Sequence, residues 1–345
     1  MTMKNRTQLL LITLLVSLFT FCLAGSLWIA SASPTDGDLT ARRRVFSPIG
    51  PGLRAVKRAA DGKYYILASP GVGVAVFDAE GKHQLSVIGA PPPAPVTNKA
   101  GRSAIAFGED CDLDAQGNVY VADRGYNLVS VFSPDGNLLR SFPANGPVSI
   151  AALPEGEVAV TLLRSSRLVS VYSPTGRVAR EFGDLESLSS RDDFNRYLSI
   201  GRVLSDPQGH VYYGYTYLPE PLVRQFDRFG FAGQDFQFTG LDAYPEAQAT
   251  RKEIERQEKK ENVAPSFRSI LTAFGVDPVS GDIWMALHNT LLHFDKDGNR
   301  VSEYQIYTKE GARLEASTIL VEPDRLLIGS DPLGVFDFER PDRKR

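Results

Sequence analysis

Short apolar runs of four to six residues recur along this chain, each closed by a turn rich in Asp, Pro and Gly, and two phrases mark their rhythm. The first is an aromatic residue that ends an apolar run and leads into a Gly turn. It reads Phe77-Asp-Ala-Glu-Gly81, Phe132-Ser-Pro-Asp-Gly136, Tyr172-Ser-Pro-Thr-Gly176, Phe226-Asp-Arg-Phe-Gly230 and Phe294-Asp-Lys-Asp-Gly298, with a degraded copy at Phe336-Asp-Phe-Glu-Arg340. The second phrase lies roughly fifteen residues upstream of each copy, as in Asp61-Gly-Lys-Tyr-Tyr-Ile66, Asp114-Ala-Gln-Gly-Asn-Val-Tyr120, Asp206-Pro-Gln-Gly-His-Val-Tyr212 and Asp277-Pro-Val-Ser-Gly-Asp-Ile-Trp284.

A period of roughly 40 residues with four short strands per unit predicts a β-propeller blade. The units fall at 53–89, 104–144, 147–184, 199–240, 267–308 and 315–339, so the expected fold is all-β, a six-bladed β-propeller of four-stranded blades over 53–340. The last unit offers three strands, around Thr318–Val321, Leu326–Ile328 and Val335–Phe338. Its fourth is expected from Arg44–Ser47 in the N-terminal segment 33–52, which would close the ring and leave no free edge between the first and last blades. One helical insertion is predicted at 245–262, where strong helix formers dominate and Glu253–Arg256 and Glu255–Lys259 pairs support the helix. A basic tail, 341–345, follows the ring.

The second unit is the most regular. Gly117-Asn-Val-Tyr-Val-Ala-Asp123, then Val131-Phe132 and Asp135-Gly136, resembles an NHL repeat, the unit of a family of six-bladed β-propellers. The resemblance covers most of 50–340, with blades three to six more divergent and Gly125-Tyr126-Asn127 standing where the family usually has Asn, then His or Asn, then Arg. Some propellers related to this family are amidating lyases that bind metal through several His residues around the channel. Lactonase-type six-bladed propellers hold a divalent cation with Glu, Asn and Asp on channel strands. The resemblance therefore implies a ring and leaves its activity open, since function lives in the site grafted onto a fold.

In a four-stranded meander the first-to-second and third-to-fourth turns share one face, and here those turns are tight. The opposite face takes the second-to-third turns and the connections between blades, including the long stretches Ala90–Ser103, Asp184–Leu198 and Leu241–Phe267. A ligand site is expected on this long-loop face. Its candidates are Asp123, Arg124, Tyr126 and Asn127 from blade two, Arg164 and Arg167 from blade three, Tyr215 and Tyr217 from blade four, Asn289 from blade five and Asp331 from blade six. Arg and Tyr are enriched where proteins meet partners, so a protein, peptide or glycan ligand bound without catalysis is the leading expectation. The alternative is a metal-dependent lactonase- or lyase-like enzyme with its site at the channel mouth, using carboxylates such as Glu109, Asp110 and Asp112 to hold Ca²⁺, or imidazoles for Zn²⁺. Asp residues that precede turns, among them Asp112, Asp114, Asp206 and Asp277, are read first as local backbone caps.

Four His are present, at 83, 210, 288 and 293. Taking Asn289-Thr290 as a two-residue hairpin loop places Leu291 opposite His288 and His293 opposite Ala286, leaving the two imidazoles as diagonal neighbours on one blade face. Two His do not complete a metal site, so His288 and His293 are weak metal candidates and no cofactor is predicted. No nucleophile motif, phosphate-binding loop or dinucleotide fingerprint occurs, and a net charge of −3 gives no basic footprint for nucleic acid.

The N-terminus reads as a targeting segment. Lys4 and Arg6 precede an apolar run over Leu9–Ile29 that ends in Ala30-Ser31-Ala32, the pattern of a cleaved signal peptide over 1–32. The run is also long enough to remain as a signal anchor, the one route by which this chain would contact a membrane. Export to the periplasm or cell exterior is expected in either case. Beyond this segment the only cysteine is Cys111, which excludes an internal disulfide and reads as a small buried apolar residue.

Overall fold

A computed structural model of the chain describes residues 36–69, 73–90, 104–238, 245–260 and 263–343. The predicted signal segment 1–32 and most of the triple-proline connection at 90–103 lie outside the described residues. Six sheets form a β-propeller, each an antiparallel meander. Blade one comprises β3 (Leu53–Arg58), β4 (Tyr64–Ala68), β5 (Val74–Phe77) and β6 (Gln84–Ile88), and blade two β7 (Gly108–Leu113), β8 (Val119–Asp123), β9 (Leu128–Phe132) and β10 (Leu138–Pro143). Blade three holds β11 (Pro147–Ala152), β12 (Val158–Leu162), β13 (Val169–Tyr172) and β14 (Val178–Phe182), and blade four β15 (Gly201–Ser205), β16 (Val211–Tyr215), β17 (Leu222–Phe226) and β18 (Ala232–Gln237). Blade five contains β19 (Ala273–Val276), β20 (Ile283–Leu287), β21 (Thr290–Phe294) and β22 (Arg300–Tyr307); blade six contains β23 (Thr318–Val321), β24 (Arg325–Ser330) and β25 (Gly334–Glu339).

The fourth strand of blade six is β2 (Arg43–Val45), antiparallel to β25 with Arg44 opposite Phe336. The expectation placed it at Arg44–Ser47, so the strand begins one residue earlier and ends before Phe46. Ahead of it, β1 (Gly37–Thr40) runs parallel to β22 as a fifth strand on blade five, an addition that the repeat pattern does not foreshadow. The buried Asp337 carboxylate gathers Arg42 at 2.6 Å, Arg43 at 3.3 Å and Arg325 at 3.5 Å, so charge as well as backbone pairing holds the N-terminal strand in place.

The recurrent aromatic–glycine phrase has a packing cause. The outer strand of one blade places an aromatic ring on the repeat aromatic of the next: Phe142 lies 5.0 Å from Tyr172 and Phe182 lies 5.0 Å from Phe226. The Gly that ends the phrase sits beneath the same ring. A Cβ at Gly176 would come within 2.5 Å of Phe142, and one at Gly230 within 2.5 Å of Phe182. Phe46, just past β2, repeats the arrangement with Phe77 at 5.4 Å and a Gly81 Cβ contact of 2.5 Å. The chain start thus supplies the ring that a fourth strand would carry. The Asp residues of the turns cap the backbone, as expected; Asp206 Oδ1 accepts the N–H groups of Gln208 and His210, both at 2.9 Å.

Two helices interrupt the meanders on the long-loop face. Helix α1 (Asp192–Leu198) folds within the connection before blade four and buries Phe194 and Leu198; the sequence pattern does not announce it. Helix α2 (Pro245–Glu258) stops four residues short of the predicted end at 262 and leans on the ring through Ala247, Thr250, Ile254 and Gln257. Ala249 of the same helix is exposed. Glu253 pairs with Arg256 at 2.6 Å, as the spacing predicts.

After β25 the chain drops onto blade five. Arg340, 1% exposed, donates Nη1 to Asp277 at 2.7 Å and a second pair of N–H groups to Asp342. Burial pushes both carboxyls up, but hydrogen bonds and the guanidinium outweigh it and hold each below the ordinary 3.8. Carboxyls depressed in the fold contribute stability that is present above their unfolded pKa and is lost as pH falls through the folded value. Arg340→Met removes the guanidinium from Asp277 and is expected to lower unfolding free energy by about 3–5 kcal/mol at neutral pH. The deficit should shrink at about pH 3 as the carboxyls protonate, which urea unfolding at the two pH values measures. Burial raises the thiol pKa of Cys111, which has no exposed surface. Thiol reagents should therefore label Cys111 only after denaturation.

Candidate functional site

The first strands of all six blades surround a central channel, and its open space amounts to about 210 Å³. Arg202, on β15, donates Nη1 to the backbone carbonyl of Arg54 on β3 at 3.2 Å. Blades one and four face each other across the ring, so this guanidinium crosses the channel. Below it, Lys57 Nζ meets Asp112 at 3.1 Å, and Asp112 also accepts the Ala152 N–H at 2.8 Å. Asp110 accepts the Ser149 hydroxyl at 2.5 Å and the Cys111 N–H at 2.9 Å. Burial pushes the Asp110 carboxyl up against the opposing pull of Lys57 and Arg202, while Asp112 and Asp110 outweigh burial to hold the Lys57 ammonium charged. Glu109 pairs with Arg124 at 2.6 Å and more loosely with Arg54 at 3.9 Å. The channel carboxylates expected to converge on a hard cation are instead matched by Lys57, Arg54, Arg124 and Arg202, positive groups that oppose a cation there.

A larger cavity, about 710 Å³, opens on the long-loop face between α2, the 266–270 segment, the second-to-third turn of blade five and the connection between blades five and six. This volume lies within the range that small-molecule and peptide ligands occupy. Phe267, Ile270 and Ala249 give it an apolar component, and His288 and Asn289 present polar groups from the blade-five turn. Glu246 and Glu253 enter from the helix. Glu253 is already paired with Arg256, a contact that holds its pKa down at about 2. Arg268, Arg313 and Glu315 complete the wall. The exposed guanidiniums of Arg268 and Arg313 form no ion pair among the described residues, although Glu246 and Glu315 share the wall with them. His288 holds a left-handed backbone, φ 58°, with Nδ1 4.0 Å from Glu315.

The sequence candidates divide into several groups in space. Asp123 is wholly buried and accepts the N–H groups of Ala106 at 2.8 Å, Phe107 at 3.0 Å and Gly125 at 2.9 Å, latching the incoming connection to its own turn. Asp331 does the same with Gly52 at 2.7 Å, and Asn127 with Gly146 at 2.9 Å. Tyr215 is buried against Glu186 at 3.1 Å and Arg224 at 3.2 Å. Arg124 stacks 4.9 Å over Phe107 at the channel mouth. Tyr217 stacks 4.7 Å from Tyr197, its hydroxyl pushed up to about 12 by burial and then by Tyr197. Tyr126 and Arg164 are exposed, and Arg167 pairs with Asp184, outside both cavities. Only His288 and Asn289 line the groove.

One geometric expectation is corrected. The blade-five hairpin pairs Leu287 with Thr290, which makes His288-Asn289 the loop and sets His293 opposite Trp284, not Ala286. His293 therefore stacks on Trp284 and bonds Asp282 at 3.1 Å near the tight-turn end, and the two imidazoles do not share a site. Arg268, Arg313 and Glu315 escape sequence reasoning because they sit in connections between blades, where no repeat phrase marks them.

No family model and no curated protein matches this chain. Solved structures do. A streptogramin B lyase matches at 12% identity with a TM-score of 0.50, covering 86% of each chain. A catalytically inactive variant of virginiamycin B lyase from Staphylococcus aureus, solved with quinupristin, matches at 11% identity with a TM-score of 0.52, over 84% of this chain and 81% of that one. A selenomethionine form of the virginiamycin B lyase from the same organism matches at 11% identity with a TM-score of 0.53, over 86% of this chain and 98% of that one. At such identities the likeness shows the fold, a six-bladed propeller shared with lyase-type proteins.

Proposed function

We propose that this chain is an exported, NHL-like propeller that binds an acidic peptide segment, without catalysis, in the groove between α2 and blade five. The observation that carries the reading is the 710 Å³ groove lined by the exposed guanidiniums of Arg268 and Arg313. Arg recognises carboxylates in a planar, two-pronged geometry, and the Phe267–Ile270 component suits the apolar parts of a side chain. His288 and Asn289 offer further hydrogen bonds from the blade-five turn. Glu246 and Glu315 disfavour a uniformly acidic ligand and favour one with mixed polarity, as a peptide has. The signal pattern over 1–32 supports export, cleaved or retained as an anchor.

A second reading rests on His288. Its strained backbone and its approach to Glu315 are the features of a base held by a carboxylate, and the solved propellers it resembles are lyases.

Panning a displayed random-peptide library against the protein tests both. The binding reading expects acidic peptides whose affinity falls by about ten- to a hundredfold in Arg268→Glu/Arg313→Glu, is weakened by salt, and is indifferent to chelation. Peptides that bind the double variant equally well would refute it. The lyase reading instead expects turnover of virginiamycin B that is lost in His288→Asn while binding persists. If that turnover draws on Ca²⁺ or Zn²⁺, chelation removes it.

A further inference from the structure

On the tight-turn face, away from the groove, one imidazole nitrogen of His293, one carboxylate oxygen of Asp282 and one of Asp342 lie within 4.8 Å of one another. We propose that these three side chains form a divalent transition-metal site, of the kind that takes Zn²⁺, which fastens the C-terminal segment to blade five.

Three observations converge on it. The His293 side chain is 3% exposed and its ring is fixed, stacked 4.1 Å from Trp284 at an interplanar angle of 4°. Its Nε2 faces Asp282 at 3.1 Å and is the nitrogen that would ligate the ion, while Nδ1, buried without a hydrogen-bond partner, would carry the proton of the neutral ring. Tetrahedral coordination with bonds of about 2.0–2.2 Å sets ligand atoms roughly 3.3 Å apart, so Asp282 and His293 are already at that spacing and Asp342 needs only a small approach. One imidazole with two carboxylates is a donor set for Zn²⁺ or a similar borderline ion, with the fourth position left to water.

Asp342 is held by Arg340 through N–H contacts of 3.0 and 2.6 Å, one on each oxygen. A carboxylate oxygen carries two acceptor sites, so a carboxylate oriented by Arg340 can still ligate a metal, as hydrogen-bonded carboxylates around metal ions do. Asp277, Asp282 and Asp342 also set carboxylates around the imidazole, a setting that favours a cation. Lys296 stands near Asp282 but is directed to Asp297 at 2.7 Å and is largely exposed. Residues 340–342 follow the last strand of blade six, and Asp282 and His293 belong to blade five, so the ion would link the two blades next to the closing strand.

The test uses the full chain, stripped with chelator and titrated with Zn²⁺ by calorimetry and with Co²⁺ by visible absorption. The chain has two tryptophans, Trp28 and Trp284, so in a Trp28→Phe background the emission reports the ring stacked on His293. The proposal expects one Zn²⁺ per chain, tetrahedral Co²⁺ absorption, a change in Trp284 emission and a Tm raised by about 5 °C. Asp282→Asn and His293→Gln should each weaken Zn²⁺ by at least about tenfold. If the buried His293→Gln fails to fold, the partly exposed Asp282→Asn decides alone. Wild-type protein that binds no Zn²⁺, or binding that leaves Trp284 emission unchanged and survives both variants, overturns the site.

Discussion

The contact on which the ring depends is the one that Phe46 makes. At two interior junctions of the propeller an outer-strand aromatic seats on the repeat aromatic of the next blade and on a glycine that only a missing Cβ keeps open. Phe142 on Tyr172 and Phe182 on Phe226 are the two pairs. The ring makes this contact once more at the junction of its last and first blades, with a residue from the chain's beginning. Phe46 reaches Phe77 and the Gly81 turn because β2 completes blade six, and β2 is held there by β25 and by the arginines on Asp337. Closure therefore couples residues some 290 apart in sequence, a loop whose entropic cost is set against apolar burial and charge-assisted hydrogen bonds.

Closure has a consequence for where chemistry can occur. The six first strands come close enough for Arg202 of blade four to reach the backbone of blade one, so a guanidinium spans an axis that keeps about 210 Å³ of open space. Lys57 and Arg202 then offset the charges of Asp110 and Asp112 there. The larger cavity lies off-axis instead, beside the insertion between blades four and five. Helix α2 is too polar to be a core element, with only four of its residues buried. Lying against the ring, it forms one wall of a groove instead. Rigid blades position the other wall, and the exposed guanidiniums of Arg268 and Arg313 keep their charge available.

The architecture was legible because the closing contact is periodic: an aromatic, a Gly at a fixed interval and an Asp cap leave a phrase that survives even where blades diverge. The ring-closing strand was legible by subtraction, since blade six was one strand short. Helix α1 was not, because its seven residues owe their shape to Phe194 and Leu198 packing on blade four more than to any local pattern. The site was barely legible. Asp123, Asn127 and Asp331 look like ligand groups in sequence because they are polar residues at turns, yet their side chains are spent on backbone N–H groups. A one-residue difference in the blade-five loop was enough to separate His288 from His293, because strand side chains alternate faces. Asp342, from the tail, meets His293 through tertiary structure alone.

The account stands most directly on Phe46 acting as the aromatic of a true fourth strand. Equilibrium unfolding of Phe46→Ala, set beside Phe142→Ala as the interior reference, measures this. Equal losses of about 3–5 kcal/mol are predicted, the cost of emptying a buried aromatic site. A Phe46→Ala protein as stable as the parent, with Phe142→Ala destabilised, would show that the ring does not depend on the chain's start and would contradict the account.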